Sequence, residues 1–276
     1  MLESLPFMPE MVKYCGRQFT VSKRVERACE EINMTMRRIR NTVFLENIRC
    51  DGSAHGGCQK GCFIFWKEAW LKSCDPDTDA GKISVEETTD RYPFPYALPD
   101  GQYICQSTEL LHATSYLPPW DLGVYLRDIR AKTHTVKKLI RLLSYAVFLR
   151  GRGLVTGKSH LYLEGKQSRT PWETLNLKAG EWVRVKSKDD IVSTLDRQGK
   201  NRGLAFTVEM VQFCGGTYHV LGRLDKMIHE PTRKLVDVND TVILDQVTCD
   251  GCHSLRGGCP RENYLFWREI WLQRVN

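Results

Sequence analysis

Two stretches of the chain are near copies of one another, and this repeat limits the possible folds more than any other feature of the sequence. FMPEMVKYCGRQFTV begins at Phe7, and FTVEMVQFCGGTYHV begins at Phe206, 199 residues later. NTVFLENIRCDG and DTVILDQVTCDG follow at the same offset, and FWKEAWL and FWREIWL follow at an offset of 201. Self-similarity at a fixed offset indicates a structural unit that occurs twice. We therefore expect two related modules separated by an insert.

Within each module, short alternating segments separated by glycine predict β-strands. The alternation places Phe19 and Val21 inward in the first module, and Tyr218 and Val220 inward in the second. Short, curved strands of this kind favour two small SH3-like barrels, similar to KOW and Tudor domains, in a mainly β chain with some α-helix.

A leader precedes the second module. Its sequence, GEWVRVKSKDDIVSTLD, predicts a strand at EWVRVKS and then a short helix capped by Ser187. Only six residues precede Phe7, so we expect the first barrel to lack this strand, to borrow one from the insert or a partner chain, or to pack differently. Oligomerisation through the incomplete first barrel is one expected consequence.

Each module contains a cluster of cysteine and histidine residues. The first set is Cys50, His55, Cys58 and Cys62. In the second cluster Asn263 stands opposite Cys62, but Cys252 has appeared where the first cluster has Ser53. The second set is therefore Cys249, Cys252, His253 and Cys259. A structural zinc site needs four protein ligands, whereas a catalytic zinc keeps one position open. The second cluster lacks the thiol of Cys62 but gains that of Cys252, so each cluster keeps four candidate ligands. The sequence therefore predicts two structural zinc sites.

Other interpretations of these cysteines stay open. They could be small apolar core residues, or the thiolates could hold an iron–sulfur cluster, although the close spacing favours zinc. Cys15 and Cys214 are equivalent positions of the repeat that could complete a site or lie in a core. The predicted organisation is a first β module with a zinc knuckle at 1–74, a linker and helical insert at 75–178, and a second β module with a zinc knuckle at 179–276.

The insert is expected to be partly helical and strongly basic. Helical segments are predicted over Cys105–Thr114 and Pro119–Leu149, with Asp121 as a cap. An apolar helical period is formed by Leu126, Ile129, Val136, Ile140, Leu143 and Val147. Its basic residues are Arg127, Arg130, Lys137, Lys138, Arg141, Arg150 and Arg152. Such a run is usually a solvated helix face, but in a chain of net charge +7 it could also bind a nucleic acid or an acidic protein.

The candidate catalytic residues are few and have plain structural alternatives. They are Cys105, Glu109, His112, Glu68 and Glu269. A cysteine with a histidine could act as nucleophile and base, and a glutamate beside a metal could act as a general base. Glu68 and Glu269 recur in both modules, however, which favours ion pairs with arginine or lysine.

The sequence also carries an expectation about location. No secretory signal opens the chain, and its most apolar stretch, Leu139–Leu149, is interrupted by Arg141 and is far shorter than the ~20 residues of a membrane span. In a reducing compartment, the eleven cysteines are not expected to form disulfides, and the clustered ones are expected to bind metal. We therefore expect a cytoplasmic protein without a membrane span.

The motifs also resemble those of a known group of proteins. LPFMPEMVKYCGRQFTV, RCDGSAHGGCQKGCFIFWKEAWLK, YICQSTELLHAT and GEWVRVKSKDDIVSTLD are similar to an uncharacterised bacterial family with tandem cysteine-rich modules. Its members are often encoded beside carrier-protein, ligase and glycosyl-transfer genes. The resemblance covers most of the chain and implies a cytosolic role in or beside a biosynthetic pathway, but no established activity.

Two functions are consistent with these features. The first is a zinc-stabilised, non-catalytic adapter that binds an acidic macromolecule, either a carrier protein or a nucleic acid. The second is a tailoring enzyme that uses a metal or a Cys/His pair in a groove between the modules. Four protein ligands at each metal would favour the adapter, whereas a metal-bound water would favour the enzyme.

Overall fold

The computed structural model describes residues 1–74, 96–118, 121, 123–131, 133, 135–156, 162–251 and 258–275. The protein is mainly β with some helices and contains a curled half-barrel sheet, which confirms the expected β-rich class. None of the described helices combines the length and apolar character needed to cross a bilayer.

The chain divides into two compact units. Unit 1 consists of Met1–Leu139, Met227–Val236 and Gly258–Arg261. Unit 2 consists of Ile140–Lys226, Asp237–Gly257 and Glu262–Asn276. The boundaries predicted from sequence, at residues 74 and 178, stay a prediction.

The secondary structure consists of short strands and few helices. The strands of the first half are β1 (Val21–Arg24), β2 (Arg27–Glu30), β3 (Thr35–Arg38), β4 (Thr42–Leu45) and β5 (Trp66–Lys67). Those of the second half are β6 (Trp182–Val185), β7 (Lys200–Asn201), β8 (Leu204–Ala205), β9 (Thr217–Arg223), β10 (Lys226–His229), β11 (Lys234–Asp237), β12 (Thr241–Thr248), β13 (Tyr264–Arg268) and β14 (Leu272–Arg274). The α-helices are α1 (Gly123–Arg130), α2 (Val136–Thr156) and α3 (Lys188–Ser193). Single 3₁₀ helices lie at Pro9–Tyr14, Glu68–Trp70, Val208–Phe213 and Glu269–Trp271.

Unit 1 is built on a three-stranded antiparallel sheet of order β1-β4-β5, accompanied by the β2–β3 hairpin. Most of the β10–β11 hairpin also belongs to this unit, although it lies about 200 residues further along the chain. Aromatic and aliphatic side chains form two buried clusters. One contains Leu5, Val25, Ile39, Phe44 and Phe65, and the other contains Met8, Met11, Val43, Ile64 and Trp66.

Unit 2 is built on a five-stranded antiparallel sheet of order β13-β12-β9-β6-β14. In β6 the alternation is clear, because Val183 and Val185 are buried while Trp182 and Arg184 are exposed. The core beneath this sheet contains Leu177, Val183, Val220, Leu244, Trp267 and Trp271. The alternating pattern therefore gives the sheet one apolar face, as sequence periodicity predicts.

The helices and strands of the two halves recur at the offsets of the sequence repeat. The 3₁₀ helices Pro9–Tyr14 and Val208–Phe213 are 199 residues apart, and β1 to β4 correspond in the same way to β9 to β12. In each 3₁₀ helix a methionine sulfur accepts the backbone N–H of the residue before the helix, at 3.2 Å for Met11 and 3.5 Å for Met210. Local sequence thus produces the same local structure twice.

The predicted inward positions of the first module are wrong. Val21 is 51% exposed and Phe19 is also exposed, whereas Val220 is 1% exposed. The reason is strand position: β1 is an edge strand, while β9 lies between β12 and β6. An alternating strand buries its apolar face only where neighbouring strands help to cover it.

Helices α1 and α2 confirm that the insert is partly helical, but their predicted apolar face is wrong. Leu126, Val136, Ile140 and Val147 are exposed, and the buried leucines of α2 are its neighbours in the sequence, Leu139 and Leu142. Helix α1 is held instead by a buried ion pair between Arg27 of β2 and Asp128, whose nearest N and O atoms are 2.8 Å apart. Val124 of α1 is also fully buried, whereas Leu126, which belongs to the predicted apolar face, is exposed.

Two shorter predictions have opposite outcomes. Ser187 does cap α3, since its hydroxyl accepts the N–H of Asp190 at 3.2 Å. Residues Cys105–Thr114, by contrast, form successive turns rather than a helix. Side-chain bonds compete there: the Thr108 hydroxyl accepts the N–H of Cys105, and the Gln106 amide bonds to the backbone of Phe65.

Candidate metal centre

The first cysteine cluster is a tight loop between the end of the β4 region and the aromatic segment that leads to β5. The N–H of Cys50 donates to the carbonyl oxygen of Cys62 at 2.8 Å, which brings the two ends of the loop together. Gly52 has a φ of +71°, and a Cβ atom at this position would lie 2.0 Å from the carbonyl oxygen of Cys58. Only glycine therefore fits this close turn.

All four predicted ligands of the first set line one small cavity in unit 1. The cavity has a volume of about 30 Å³, which is the space of a single small ion or a water molecule. Its lining includes Cys50, His55, Cys58, Cys62 and Cys105. The predicted set thus lines one cavity, together with Cys105, a residue that the sequence suggests as a candidate nucleophile.

A buried carboxylate also belongs to this region. Glu10, from the first 3₁₀ helix, accepts a hydrogen bond from the Cys50 thiol at 3.0 Å, and its Oε1 lies 3.0 Å from Nδ1 of His55. The ligand atoms of Glu10, Cys50 and His55 lie within 4.8 Å of one another, so these residues could hold a metal ion. Sequence analysis did not include Glu10 as a ligand. Its equivalent, Glu209, is also buried, and a carboxylate repeated beside an apolar core is a signal for such a role.

Burial and charge set the protonation of the cluster. Burial raises the pKa of Glu10, but the hydrogen bond and charge of His55, together with the Cys50 hydrogen bond, lower it below its usual range. Burial raises the pKa of the Cys50 and Cys58 thiols, and it raises that of Cys105 to about 12. These thiols are therefore protonated unless a metal displaces their protons, so metal binding would release protons and strengthen with pH.

A network of four charges adjoins the cavity, in which Lys60, Glu230 and Arg261 are buried and Glu31 is partly exposed. Nζ of Lys60 lies 2.9 Å from Glu31 and 2.8 Å from Glu230, and Arg261 lies 2.9 Å from Glu230. Burial raises the pKa of Glu31, yet the charges of Lys60 and Arg261 lower it to about 2. Lys60 and Arg261 are equivalent positions of the repeat, and so are Glu31 and Glu230. All four belong to unit 1, so this unit contains equivalent parts of both repeats.

The second cysteine set is only partly described. Cys249 belongs to unit 2, where its sulfur accepts the N–H of Gly251 at 3.2 Å. Cys259 belongs to unit 1, where its sulfur accepts the N–H of Cys29 at 3.3 Å. Cys252 and His253 lie outside the described residues. The second zinc site therefore stays a prediction.

The backbone hydrogen bond that closes the first cysteine loop also occurs in the second loop, although Asn263 stands there in place of Cys62. The N–H of Cys249 donates to the carbonyl oxygen of Asn263 at 2.8 Å, as the N–H of Cys50 does to Cys62. This bond uses backbone atoms alone. The loop closure therefore survives the replacement of the thiol by an amide.

The candidate catalytic residues are held in structural contacts. Glu109 pairs with Arg233 at 2.8 Å, and Glu68 pairs with Arg24. Glu269 accepts backbone N–H groups and Arg223. Cys105 lines the small cavity, whereas His112 lines a separate open cavity of about 460 Å³.

The basic residues of the insert divide into paired and exposed ones. Arg127 lies 3.3 Å from both Glu26 and Asp121, so its charge is partly neutralised. The exposed side chains are Arg130, Lys137, Arg141 and Arg150, with Lys138 half-buried. The side chain of Arg152, a residue of α2, lies outside the description.

Comparison with known proteins adds no further assignment. No protein-family model, no curated protein and no solved structure matches the chain. The site consists of a small cavity in unit 1, lined by partly buried thiols and the buried imidazole of His55, with the buried carboxylate of Glu10 beside Cys50 and His55.

Proposed function

We propose that this protein is a zinc-stabilised, non-catalytic binding protein that presents helix α2 to an acidic partner protein. One observation carries the proposal. The sequence of α2, VKKLIRLLSYAVFLRGRGLVT, contains five basic residues and no acidic residue. A partner of opposite charge would gain in association rate and in register from such a helix.

The exposed apolar side chains of α2 favour a protein over a nucleic acid. Leu154 and Val155 are 86% and 87% exposed, and Val147 and Phe148 are also largely exposed. Clustered exposed apolar groups mark protein contacts, because burying them removes apolar surface from water. A phosphate backbone offers no matching apolar surface. An acidic carrier protein, which the family resemblance also suggests, provides both acidic and apolar groups.

The proposed scaffold is a pair of SH3-like modules. The strand order β13-β12-β9-β6-β14, with a 3₁₀ helix before β14 and pairing of β14 with β6, supports an SH3-like barrel in the second half. The first half would be an incomplete version, because among the described residues its three-stranded sheet matches β9, β12 and β13 and has no counterpart of β6 or β14. Assembly into an oligomer through this half stays part of the proposal.

Zinc would have a structural role in this scaffold. The cavity is small and lined by partly buried thiols and the buried imidazole of His55, which suits a structural site better than one built to admit a substrate. The ten cysteines that the structure describes are free thiols, which fits the proposed cytoplasmic location in a bacterial biosynthetic pathway. The rival proposal, a metal- or Cys/His-dependent tailoring enzyme, has less support because Cys105 and His112 line different cavities.

The binding experiment uses a purified bacterial acyl carrier protein and titration calorimetry. Binding should weaken as salt rises from about 0.05 to about 0.5 M, because screening reduces attraction between exposed charges. The double variant Arg141→Glu/Arg150→Glu should raise the Kd by about tenfold or more. Its matched control is Arg184→Glu/Arg197→Glu, which makes the same charge change at exposed positions outside α2.

Three outcomes separate the hypotheses. Equal effects of the two double variants, or binding that is insensitive to salt, would contradict the role of α2. Phe148→Ser should weaken carrier-protein binding without changing the charge of the helix. If a single-stranded oligonucleotide binds instead, and Phe148→Ser has no effect, the partner class is nucleic acid and the acidic-protein proposal is wrong.

A further inference from the structure

Glu10, Cys50 and His55 lie together in unit 1, although they come from two segments that are far apart in the chain. Glu10 belongs to the first 3₁₀ helix, and Cys50 and His55 belong to the loop after β4. Among the described residues, no other set of histidine, cysteine and acidic side chains brings three ligand atoms within 4.8 Å of one another. We propose that these three residues are the protein ligands of one Zn²⁺ ion and that a water molecule completes its coordination. This inference rests on the structural zinc of the proposed function and assigns its ligands.

The imidazole of His55 is oriented as a metal ligand would be. Its Nε2 lies 3.1 Å from the carbonyl oxygen of Ile104, and Nε2 carries the proton because a carbonyl oxygen can only accept. In the neutral ring, Nδ1 then carries a lone pair. Nδ1 is buried and has no well-aligned hydrogen-bond partner among the described residues. A histidine that binds a metal usually donates its other ring N–H to a group such as a backbone carbonyl, which is the contact with Ile104.

The other two ligand atoms lie next to this lone pair. Oε1 of Glu10 lies 3.0 Å from Nδ1 of His55, and the Cys50 thiol donates to the same oxygen at 3.0 Å. A proton between Nδ1 and Oε1 would need an aligned hydrogen bond, whereas a metal ion needs only that its ligand atoms converge. Ligand atoms of one tetrahedral zinc lie about 3.3 to 3.6 Å apart, because its bonds are about 2.0 to 2.3 Å long. The two contacts of 3.0 Å are therefore close to the spacing that zinc requires.

The charge balance of the site also favours zinc. The side chains of Glu10 and His55 are each 1% exposed, and Oε2 of Glu10 has no hydrogen-bond partner within the described parts of the chain. A buried carboxylate is costly unless it is paired with a cation or fully hydrogen-bonded. One Zn²⁺ balances the single negative charges of the Glu10 carboxylate and the Cys50 thiolate, and the imidazole is neutral. The bound site thus carries no net charge beside the apolar cluster that contains Met8 and Met11.

The other thiols of the cavity have different contacts. Sγ of Cys58 accepts the N–H of Ile228 at 3.3 Å, and Sγ of Cys62 accepts the Ser107 hydroxyl at 3.7 Å. Neither of these thiols, nor that of Cys105, belongs to the group of ligand atoms within 4.8 Å of one another. The proposed site therefore keeps two of the four ligands predicted from sequence and adds the carboxylate of Glu10.

The fourth position of the ion faces the cavity, because Cys50 and His55 line it. The cavity has a volume of about 30 Å³, which is enough for one water molecule. A metal-bound water is usual at catalytic zinc sites, but a substrate would not fit in this space. The ion therefore ties the first 3₁₀ helix to the cysteine loop and stabilises unit 1, as the proposed function requires.

The first test concerns the carboxylate and measures Zn²⁺ affinity by competition with a chromophoric chelator. The background protein is Cys252→Ser/His253→Gln, which removes two predicted ligands of the other set. Glu10→Gln should raise the Kd by more than about 100-fold, because loss of a partner outside the coordination shell already costs about 10- to 100-fold. Glu46→Gln, the same change at an exposed glutamate, should match the background protein. An unchanged Kd in Glu10→Gln would overturn its role as a ligand.

The second test compares two thiols that line the same cavity, with Co²⁺ as the probe in the same background. Cys50→Ser should remove the thiolate-to-cobalt charge-transfer absorbance, because Cys50 is the one sulfur ligand. Cys58→Ser is the matched control and should keep the full absorbance. Loss of absorbance in Cys58→Ser, or full absorbance in Cys50→Ser, would overturn the assignment.

The third test does not depend on whether a ligand variant folds. X-ray absorption at the zinc edge is recorded on the background protein with one equivalent of Zn²⁺. One sulfur neighbour at about 2.3 Å and three nitrogen or oxygen neighbours at about 2.0 to 2.2 Å are expected. Two or more sulfur neighbours would overturn this ligand set while leaving structural zinc in place. Absence of stoichiometric zinc would overturn both this site and the zinc of the proposed function, whereas binding by α2 is tested separately.

Discussion

The same Arg–Glu pair occurs in both halves of the chain, but its surroundings differ. Arg24 pairs with Glu68 in the first half, and Arg223 pairs with Glu269 at 2.8 Å in the second. The side chain of Glu68 is 40% exposed, whereas that of Glu269 is 0% exposed and accepts three N–H groups from Leu175–Leu177 at 2.5, 3.0 and 3.0 Å.

The comparison shows how one repeated pair can have two structural roles. In the second half, the segment before β6 covers the carboxylate and uses it as the acceptor for its own backbone. In the first half, the carboxylate faces water and makes a surface ion pair, which contributes little to stability. A repeat in sequence therefore predicts that the ion pair forms, but not how much it contributes to the free energy of unfolding. That contribution depends on how deeply other segments bury the pair.

The largest effect is expected from the buried member of this pair. Glu269→Gln should lower the free energy of unfolding by about 3 kcal/mol, because it leaves the Arg223 charge and buried N–H groups with a weaker acceptor. Glu68→Gln, the matched control, should cost about 1 kcal/mol or less. Urea unfolding followed by circular dichroism measures both free energies. Equal losses would show that burial of Glu269 by Leu175–Leu177 does not contribute to stability.

The second comparison uses the apolar positions of β1 and β9. Val220→Ala should lower the free energy of unfolding by about 2 kcal/mol, because it leaves a cavity in a packed core. Val21→Ala, at the equivalent position of the edge strand, should change it by less than about 0.5 kcal/mol. Thermal unfolding is suited to this pair. A cost for Val21→Ala as large as that for Val220→Ala would mean that β1 is covered in solution.

The smallest effect concerns the hairpin turns, where Glu30 of the first half corresponds to His229 of the second. Burial raises the pKa of Glu30, but hydrogen bonds from the Thr35 hydroxyl and the N–H groups of Asn33 and Ile32 lower it below its usual range. A lowered pKa gives stability that is fully present above the ordinary carboxyl pKa and is lost as pH falls through the lowered value.

Glu30→Gln should therefore cost about 1 kcal/mol near neutral pH, and the difference from wild type should shrink as the solution is acidified. Urea unfolding at a series of pH values measures the difference, with the exposed residue Glu46 replaced by glutamine as the control. A difference that stays constant or grows towards acid would mean that the charge of Glu30 does not stabilise the turn.

The local structure was largely predictable from sequence. The strands at β4 and β12, the strand in the leader and the Ser187 cap follow from alternation and from hydrogen bonds between residues a few positions apart. The gathering of Cys50, His55, Cys58 and Cys62 around one cavity also follows from their close spacing. Residues within a short loop stay close in space because the chain between them is short.

The partners of these elements were not predictable in the same way. Glu10 lies 40 residues before Cys50, and Cys105 lies 43 residues after Cys62. The contact of Glu10 with Cys50 and the place of Cys105 in the cavity lining therefore depend on how distant segments pack. The helices of the insert were predicted, but which apolar residues they bury was not: α1 is anchored by the Arg27–Asp128 ion pair and by Val124, and α2 buries Leu139 and Leu142. The apolar period of a helix shows which residues share a face, but it does not show which other segment packs against that face.

The sequence by itself determined that the chain has two similar sets of short strands, each with a glycine-turned cysteine loop. Those features depend on backbone hydrogen bonds and steric limits within a few residues. Only the tertiary structure decided that the carboxylate of Glu269 is covered and that of Glu68 is not, that β1 is an edge and β9 is central, and that Cys105 joins the thiols of the first loop. Burial, strand neighbours and ligand sets are properties of segments brought together over long distances in the chain, and their free energies depend on those contacts and not on local spacing.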